Sequence, residues 1–274
     1  MRFDLRETAA DHTVICAHRG IWGGNIPCNN IKAYDIALSH GADMVEIDVT
    51  RAADGELFIF HPGMEPAHLG KSVDIRKMNS DEIRELRYVN YDNVPTTTGL
   101  NTLDEVLEHL KGKCFINVDK FGDNPAEIIA DIARHDMKDQ IVLKCAPDEA
   151  SLSVIEKYAS DIQFLPVIWK DNGTHEMLKN RDINYVGAEL LFRNENEDVG
   201  RADYRELLHR DRKLCWINTI VYDYRAVISA GHTDDAALCG DPASGWGWSA
   251  DNFDIIQTDW VLALKDYLKK TGRK

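Results

Sequence analysis

The feature that most constrains this chain is the alternation of short apolar runs with stretches of helical period. Eight apolar runs are predicted to be strands: residues 14–16, 44–49, 114–118, 141–144, 164–168, 185–188, 214–217 and 255–257. Alternating strands and helices indicate an α/β fold with a parallel sheet, and eight units in 274 residues suit a closed (β/α)8 barrel, the TIM barrel. An open, doubly wound sheet is the structural alternative, although no glycine-rich nucleotide turn follows a predicted strand.

Eight helices are predicted between these runs: residues 30–40, 103–110, 125–134, 149–158, 174–180, 201–210, 222–230 and 261–270. Two connections, residues 61–102 and 218–254, are too long for simple barrel turns and are expected over the C-terminal face, where barrel active sites lie. The second contains Trp246 and Trp248, which either line a substrate or pack into the core. With no linker in the sequence, residues 1–274 are expected to form a single barrel domain.

The charge of the chain limits its partners. It has 46 acidic and 32 basic residues, which give a formal net charge of −14. Nucleic acids and anionic membranes usually bind proteins with a basic excess, so neither is an expected partner. No apolar run reaches the ~18–20 residues of a membrane span, and no secretory signal is recognised at the start. Six cysteines without a Cys-x-x-Cys pair favour free thiols and a cytoplasmic protein. A homo-oligomer is left open.

Three carboxylates are predicted at the ends of two strands. Glu46 and Asp48 alternate with Val45 and Ile47, so they share one face of the second strand. Asp119 ends the third strand and would point toward the same mouth of a barrel. Neighbouring carboxylates repel one another unless a cation or a shared proton lies between them, and oxygen ligands suit Mg²⁺ or Ca²⁺. The sequence therefore predicts a site for one divalent metal, with a solvated strand end as the simpler alternative.

Two histidines are predicted to lie beside these carboxylates. His18 follows the first strand and precedes Arg19, whose guanidinium suits phosphate oxygens. An Asp-Gly pair at residues 54–55 predicts a two-residue hairpin loop, and counting outward places His61 opposite Asp48. A bulge in the hairpin would move His61 by one position.

This set of side chains suits phosphoryl transfer. A divalent metal neutralises nonbridging phosphate oxygens and lowers the pKa of an attacking hydroxyl. One histidine would accept the proton of the nucleophile, and the other would protonate the leaving alkoxide. Lys144, at the end of the fourth strand, would join Arg19 in stabilising charge at phosphorus, unless its ammonium only reaches out to solvent.

In order and spacing, these residues resemble the signature of the glycerophosphodiester phosphodiesterase family, whose barrels are similar to phosphatidylinositol phosphodiesterases. The most specific matches are His18-Arg19-Gly20, Pro27-Cys28-Asn29-Asn30, Gly41-Ala42-Asp43, Glu46-Ile47-Asp48-Val49, Asp54-Gly55 and His61. Less specific matches extend the resemblance over nearly the whole chain: Asn117-Val118-Asp119-Lys120, Trp216-Ile217-Asn218-Thr219 and Ile256-Gln257-Thr258-Asp259.

The resemblance implies a (β/α)8 barrel, one Mg²⁺ or Ca²⁺ ion, and hydrolysis of glycerophosphodiesters to glycerol phosphate and an alcohol. The acid–base pair and the metal ligands that it implies are His18 and His61, and Glu46, Asp48 and Asp119. The candidate contacts with the phosphate of a small-molecule diester are Arg19, Lys144 and Lys120.

Three positions depart from the family pattern. Cys28 replaces a usual acidic residue, and Pro62 replaces a usual Asp. Asp119 is followed directly by Lys120, where the family commonly has Glu with Lys two residues later, so a metal would lie differently or bind more weakly. Two functional alternatives stay open. One is a lyase that leaves a cyclic phosphate, and the other is a barrel that binds phosphodiesters without cleaving them.

Overall fold

The computed structural model describes residues 3–221 and 227–273. Its strands are β1 Val14–Ala17, β2 Met44–Arg51, β3 Leu57–Ile59, β4 Phe115–Asp119, β5 Ile141–Cys145, β6 Gln163–Ile168, β7 Gly187–Leu190, β8 Leu214–Asn218 and β9 Ile255–Thr258. Eight of them pair in parallel in the order β1-β2-β4-β5-β6-β7-β8-β9, and β1 also pairs with β9. The sheet therefore closes on itself, which confirms the predicted TIM barrel.

Helices surround the barrel. They are α1 Leu5–Asp11, α2 Ile31–His40, α3 Glu65–His68, α4 Ser80–Arg84, α5 Leu103–Leu110, α6 Pro125–Arg134, α7 Glu149–Tyr158, α8 Thr174–Lys179, α9 Ala202–Arg210, α10 Asp234–Cys239, α11 Trp248–Asn252 and α12 Val261–Thr271. Seven predicted helices are confirmed with small differences at their ends. The helix predicted at 222–230 lies mostly outside the described residues, and residues 227–230 are not helical.

Local sequence signals set the helix ends. Thr102 begins α5 with a capping box: its side chain accepts from the backbone N of Glu105 at 3.1 Å, and the Glu105 carboxylate accepts from the backbone N of Thr102 at 3.0 Å. Pro125 opens α6, where its missing N–H is not needed. Gly41 ends α2 in the left-handed region, with φ +91°.

Two layers of apolar side chains hold the barrel together. The outer layer lies between strands and helices and includes Val45 and Ile47 of β2 and Leu107 of α5. The inner layer fills the barrel interior near the N-terminal ends of the strands. It consists of Val14, Cys16, Met44, Phe115, Val142, Leu165, Val186, Trp216 and Ile255. Leu5 of α1 packs onto this inner layer, and its backbone N donates to Gln163 at 2.9 Å. Helix α1 therefore closes the N-terminal end of the barrel, and the opposite end is available for a site.

The hairpin between β2 and β3 differs from its prediction by one residue. Its loop has three residues, 53–55, and the glycine at the third position has φ +103°, which glycine adopts without strain. The backbone N of Phe60 donates to the carbonyl of Asp48 at 2.9 Å. Phe60 and not His61 therefore lies opposite Asp48, and the predicted pairing of Asp48 with His61 is wrong.

The connection 61–102 is folded and not an open loop. It carries α3 and α4 and has its own small core, formed by Phe58, Phe60, Leu69, Ile75, Ile83, Leu86, Tyr88 and Leu100. The connection 218–254 likewise carries α10 and α11 in its described part. Among the described residues, no helix has both the length and the apolar character needed to cross a membrane.

Candidate active site

The interior of the barrel becomes polar toward the C-terminal ends of the strands. Buried polar side chains there include Glu46, Asp48, Asn117, Lys144, Glu189, Asn218 and Gln257. The strand register places Glu46 beside Asn117 and Asp48 beside Asp119. Because side chains two residues apart on a strand share a face, these residues form one polar layer above the apolar one. We refer to this C-terminal end of the barrel as the mouth.

Glu46, Asp48 and Asp119 meet in the mouth. Each offers one carboxylate oxygen, and these oxygens lie within 4.8 Å of one another. Burial, with the added charge of Asp48, raises the pKa of Glu46 from 4.5 to about 7. Burial acts on Asp119 in the same direction, but Lys144 and Lys120 outweigh it and hold the pKa of Asp119 below its ordinary value. The cluster concentrates negative charge that a cation would relieve.

The turn after β1 brings Arg19 onto the same carboxylates. Its backbone N donates to Glu46 Oε2 at 3.0 Å, and its Nε lies 2.8 Å from Asp48 Oδ2. Arg19 and Gly20 have positive φ angles of +57° and +77°. A Cβ at position 20 would lie 2.7 Å from the backbone carbon of Ala33, so glycine is required for this turn to pack against α2.

Lys120 reaches the mouth through a backbone turn. It follows β4 directly and has φ +59°, in the left-handed region. Its Nζ lies 2.6 Å from Asp119 Oδ2 and 3.6 Å from Asp48 Oδ1. This conformation is strained for a residue other than glycine, by about 1–3 kcal/mol, and is common at functional sites. The adjacent Asp-Lys pair therefore places an ammonium group beside the carboxylates.

His18 is held by the carboxylate of Asp259, for which the sequence predicts no role. Its Nδ1 lies 2.8 Å from Asp259 Oδ1, and since a carboxylate only accepts, Nδ1 carries the hydrogen. The backbone N of Asp259 donates to Asp234 at 3.0 Å, and Thr258 donates to the same carboxylate. Burial raises the pKa of Asp234. This chain of contacts fixes the tautomer and the orientation of the His18 ring.

His61 is half-buried at the rim of the mouth. Its Nδ1 lies 2.9 Å from the carbonyl oxygen of Pro62, so Nδ1 carries the hydrogen of the neutral ring and Nε2 is the proton acceptor. Burial lowers the pKa of His61; Arg19 and Lys120 add to this effect, and Asp48 opposes it. These charges act on His61 because it shares the mouth with the carboxylates.

Lys144 is buried beneath the mouth. It is 4% exposed, and its Nζ lies 3.0 Å from Glu189 Oε2 and 5.3 Å from the ring centre of Trp216. The other oxygen of Glu189 accepts from Asn218 at 2.8 Å. Although burial alone would lower it, Glu189 and Asp119 raise the pKa of Lys144. The alternative in which Lys144 reaches solvent is therefore wrong.

Cys28 and His68 form an uncharged pair beside the mouth. Cys28 Sγ lies 3.6 Å from His68 Nδ1. Burial raises the pKa of the Cys28 thiol to about 12, and burial together with Arg19 lowers the pKa of His68 to about 4. The next residue, Asn29, donates to Asp48 Oδ2 at 2.8 Å. Cys28 stands where the family usually has an acidic residue, so this wall beside the mouth is neutral. Asn29 still supports Asp48 through its hydrogen bond.

Trp246 and Trp248 pack into the core, which settles the two roles left open by the sequence. Trp246 is 3% exposed, and its indole N–H donates to Asp234 at 2.7 Å. Trp248 stacks on His232 with ring centres 3.6 Å apart. Aromatic side chains beside the Cys28–His68 pair come from other segments, namely Trp22, Tyr88 and Tyr91.

The structure adds site residues to which the sequence gives no role: Asn29, His68, Asn218, Asp234 and Asp259. The sequence also indicates Glu189, at the end of a predicted strand, as a weaker candidate than Lys144, and the two side chains form an ion pair. Asp259 had a usable signal, because it directly follows β9 at the end that faces the mouth. Asn29 lay within a recognised motif but was given no role. The sequence does not indicate that His68 lies near the mouth, because its position depends on how the connection 61–102 folds.

Comparison with known proteins places the chain in a family. The glycerophosphoryl diester phosphodiesterase family matches residues 18–201, more than half of the sequence. The chain belongs to this family. A second family, described as a domain of unknown function, matches residues 164–268. The resemblance carried by the motifs is thereby confirmed.

Curated relatives of this phosphodiesterase family member align over shorter segments. The probable glycerophosphodiester phosphodiesterase 1 of Mycobacterium tuberculosis is 33% identical over 108 residues, 37% of this chain and 39% of the relative. The glycerophosphodiester phosphodiesterase of Bacillus altitudinis is 47% identical over 49 residues, 18% of this chain and 20% of the relative. The alignments therefore span well under half the length of these relatives.

Solved structures share the fold over nearly the full chain. A glycerophosphoryl diester phosphodiesterase from Parabacteroides distasonis has a TM-score of 0.77 at 16% identity, covering 99% of this chain and 93% of that chain. An Oleispira antarctica phosphodiesterase, solved with the product sn-glycerol-3-phosphate, has a TM-score of 0.69 at 16% identity, with coverage of 95% and 98%. At this level of identity the likeness concerns the fold, and it agrees with the closed barrel.

Proposed function

We propose that this family member is a metal-dependent phosphodiesterase that hydrolyses small glycerophosphodiesters to a phosphomonoester and an alcohol. The observation that carries the proposal is the meeting of Glu46, Asp48 and Asp119 oxygens within 4.8 Å, in the mouth that also holds His18. The Oleispira antarctica phosphodiesterase was solved with sn-glycerol-3-phosphate as its product, which supports glycerol phosphate as the phosphomonoester here.

The three carboxylates fit one divalent cation. Their oxygens are hard donors, and their spacing lets them share an ion whose ligands lie about 2.0–2.6 Å away, as for Mg²⁺ or Ca²⁺. Asp48 Oδ1 and Asn117 Oδ1 are buried acceptors that lack a hydrogen-bond partner among the described residues. Buried acceptors in this state are costly unless a cation or ligand satisfies them. A bound cation would supply charge neutralisation at the nonbridging phosphate oxygens.

Three cationic side chains would stabilise negative charge at phosphorus. Arg19 and Lys120 lie in the mouth against the metal-site carboxylates. Lys144 would act from beneath through its charge, because its ammonium is paired with Glu189. Fixed positive groups aimed at developing charge are among the strongest contributions to catalysis.

We assign the two proton transfers to His18 and His61. His18 would accept a proton from the attacking water while the bond between phosphorus and the alcohol oxygen breaks. His61, protonated on Nε2 as well as on the Nδ1 that donates to Pro62, would give the Nε2 proton to the departing alkoxide. Asp259 holds His18 in one tautomer through Nδ1, as the carboxylate of a catalytic triad does. The lowered pKa of His61 makes its protonated ring a stronger proton donor.

The proposal is tested by following hydrolysis of glycerophosphodiesters with Mg²⁺ or Ca²⁺, before and after complete removal of the metal by a chelator. We expect turnover to stop without metal and to return when metal is restored. Turnover that continues unchanged in the metal-free protein would rule out this mechanism.

Two further measurements separate the alternatives. His18→Ala should abolish turnover, whereas tight phosphodiester binding with no turnover by the unmodified protein on a broad panel would identify a non-catalytic barrel. Phosphorus NMR of the product distinguishes the phosphomonoester expected here from the cyclic phosphate that a lyase leaves.

A further inference from the structure

A cavity of about 330 Å³ lies beside the mouth. Its walls include Trp22, Asn25, Cys28, His68, Tyr88 and Tyr91. Ligand pockets commonly measure about 300–1,000 Å³, so this cavity suits a single ring or a short chain and not a lipid. Trp22 is 52% exposed and Tyr91 is 88% exposed, so two aromatic faces are accessible at its entrance.

Amide side chains line this cavity. Asn25, Asn90 and Asn93 are among its wall residues. The Asn25 amide oxygen accepts from the Asn90 amide at 3.0 Å, so the Asn25 amide nitrogen is a donor for a ligand. Tyr88 also lines the cavity, but its hydroxyl is buried and is not a contact for a ligand. The wall is therefore equipped to bind hydroxyl groups of a ligand through amides.

The cavity adjoins the proposed catalytic residues. Cys28 lines it, and the next residue, Asn29, donates to Asp48 at 2.8 Å. His68 also lines it and is linked to His61 by two successive backbone hydrogen bonds through Met64. The cavity is therefore close enough to the mouth to be considered for one alcohol group of a bound phosphodiester.

The charges at the cavity favour an uncharged group. None of its lining residues is Asp, Glu, Lys or Arg. Cys28 stands where the family usually has an acidic residue, and its thiol remains protonated because its pKa is about 12. Aromatic walls can bind quaternary ammonium groups, but a cation here would have no carboxylate in the cavity wall as its partner.

We propose that the cavity binds the alcohol moiety of the diester, and that this moiety is an uncharged polyol ring such as a sugar or a cyclitol. The inference rests on the proposed function and names the substrate class of that reaction. The C–H faces of the ring would pack on Trp22 and Tyr91, and its hydroxyls would bond to the Asn25 amide. Selection among diesters would then occur in this cavity, apart from the groups that act on the shared phosphate.

The test compares kcat/KM of the metal-loaded enzyme for glycerophosphoinositol and glycerophosphocholine. We expect the inositol diester to be preferred by roughly tenfold or more, because unpaired polar groups in a site strongly disfavour ligands that lack a partner for them. Asn25→Ala removes the amide and should lower kcat/KM for the inositol diester about fivefold, the worth of one net hydrogen bond. Trp22→Ala should lower it about tenfold through lost ring packing. Neither change should affect the choline diester comparably.

Tyr158→Ala is the matched control, because Tyr158 lies on α7, does not line the cavity and is 51% exposed, close to the 52% of Trp22. If the unmodified protein hydrolyses neither diester, the proposed function fails. If both are hydrolysed but the choline diester is preferred, or Trp22→Ala lowers both rates equally, the polyol assignment is overturned and the proposed function stands.

Discussion

Replacing His68 by glutamine should remove a loss of stability that occurs between pH 6.5 and about pH 4. Burial, with the charges of Arg19 and His61, lowers the pKa of His68 from 6.5 to about 4, and Asp48 opposes this. Between these values the unfolded chain binds a proton that the folded protein does not, so the free energy of unfolding falls as the pH falls. Above pH 6.5 the ring is neutral in both states and this loss is absent.

The size of the effect follows from the two pKa values. Each pH unit within this window corresponds to about 1.4 kcal/mol for one proton, so the loss approaches about 3 kcal/mol at pH 4. His68 is only partly buried, which makes this value an upper limit. Cys28, its direct contact, adds no charge across this range because its pKa is about 12. A domain stability of about 5–15 kcal/mol makes such a loss easy to measure.

Denaturant unfolding of the unmodified protein and of His68→Gln at a series of pH values provides the assay. We expect the two stabilities to diverge as the pH falls, with the unmodified protein losing more. Parallel curves would refute the reasoning, because they would mean that folded His68 binds its proton as readily as the unfolded chain does. His209→Gln is a control of opposite sign: the hydrogen bond to Asp254 raises the pKa of His209, so its stabilising effect is lost as the pH rises through that pKa.

Four other outcomes are expected. Asp119→Asn should weaken binding of Mg²⁺ or Ca²⁺ in calorimetry, and an unchanged affinity would remove Asp119 from the ligand set. His61→Ala should lower the rate about 10²–10⁴-fold for poor leaving groups and less for p-nitrophenol, whereas an equal loss for both would argue against the acid role. Lys144→Met should lower the free energy of unfolding in urea by about 3–5 kcal/mol, because it leaves the Glu189 carboxylate buried without its ion-pair partner. The double variant Lys144→Met/Glu189→Leu should recover much of that stability, and no recovery would contradict the ion pair between Lys144 and Glu189. Cys28→Asp, compared with Cys28→Ser, should shift the kcat/KM ratio toward the choline diester, and an unchanged ratio would show that charge at this position does not govern selection.

The strands could be predicted because burial and apolar content agree along most of them. The prediction for β7 shows the limit of this signal. Residues 185–188 were predicted, but the strand is Gly187–Leu190. Tyr185 and Val186 are buried, at 2% and 1% exposure, without belonging to the strand. Apolar content reports burial, whereas the bounds of a strand depend on hydrogen bonds with neighbours that are distant in sequence.

The one-residue error in the hairpin has a related cause. An Asp-Gly pair is compatible with both two-residue and three-residue loops, so the local sequence does not distinguish them. The register is decided by the two faces of β3: Leu57 and Ile59 pack into the main core, and Phe58 and, just past the strand, Phe60 pack into the small core of the connection 61–102. Packing on both faces of β3 therefore fixes a loop that local rules leave ambiguous.

The carboxylate cluster could be predicted because it depends only on strand periodicity and on the parallel order of β2 and β4. The contacts that support the site could not. His18 and Asp259 are 241 residues apart in sequence, and the Nζ of Lys144 meets Glu189 from another strand. Such pairs leave no periodic pattern, since each residue alone resembles any polar residue at a strand end.

The departures from the family pattern bear on the proposed selection of the alcohol. Cys28 and Pro62 each stand where the family usually has a carboxylate, whereas the oxygens of Glu46, Asp48 and Asp119 still meet within 4.8 Å. With Cys28 uncharged, the cavity wall offers no carboxylate to a cationic alcohol. Under the proposed function, these substitutions would leave the reaction at phosphorus unchanged and would alter the alcohol that the site accepts.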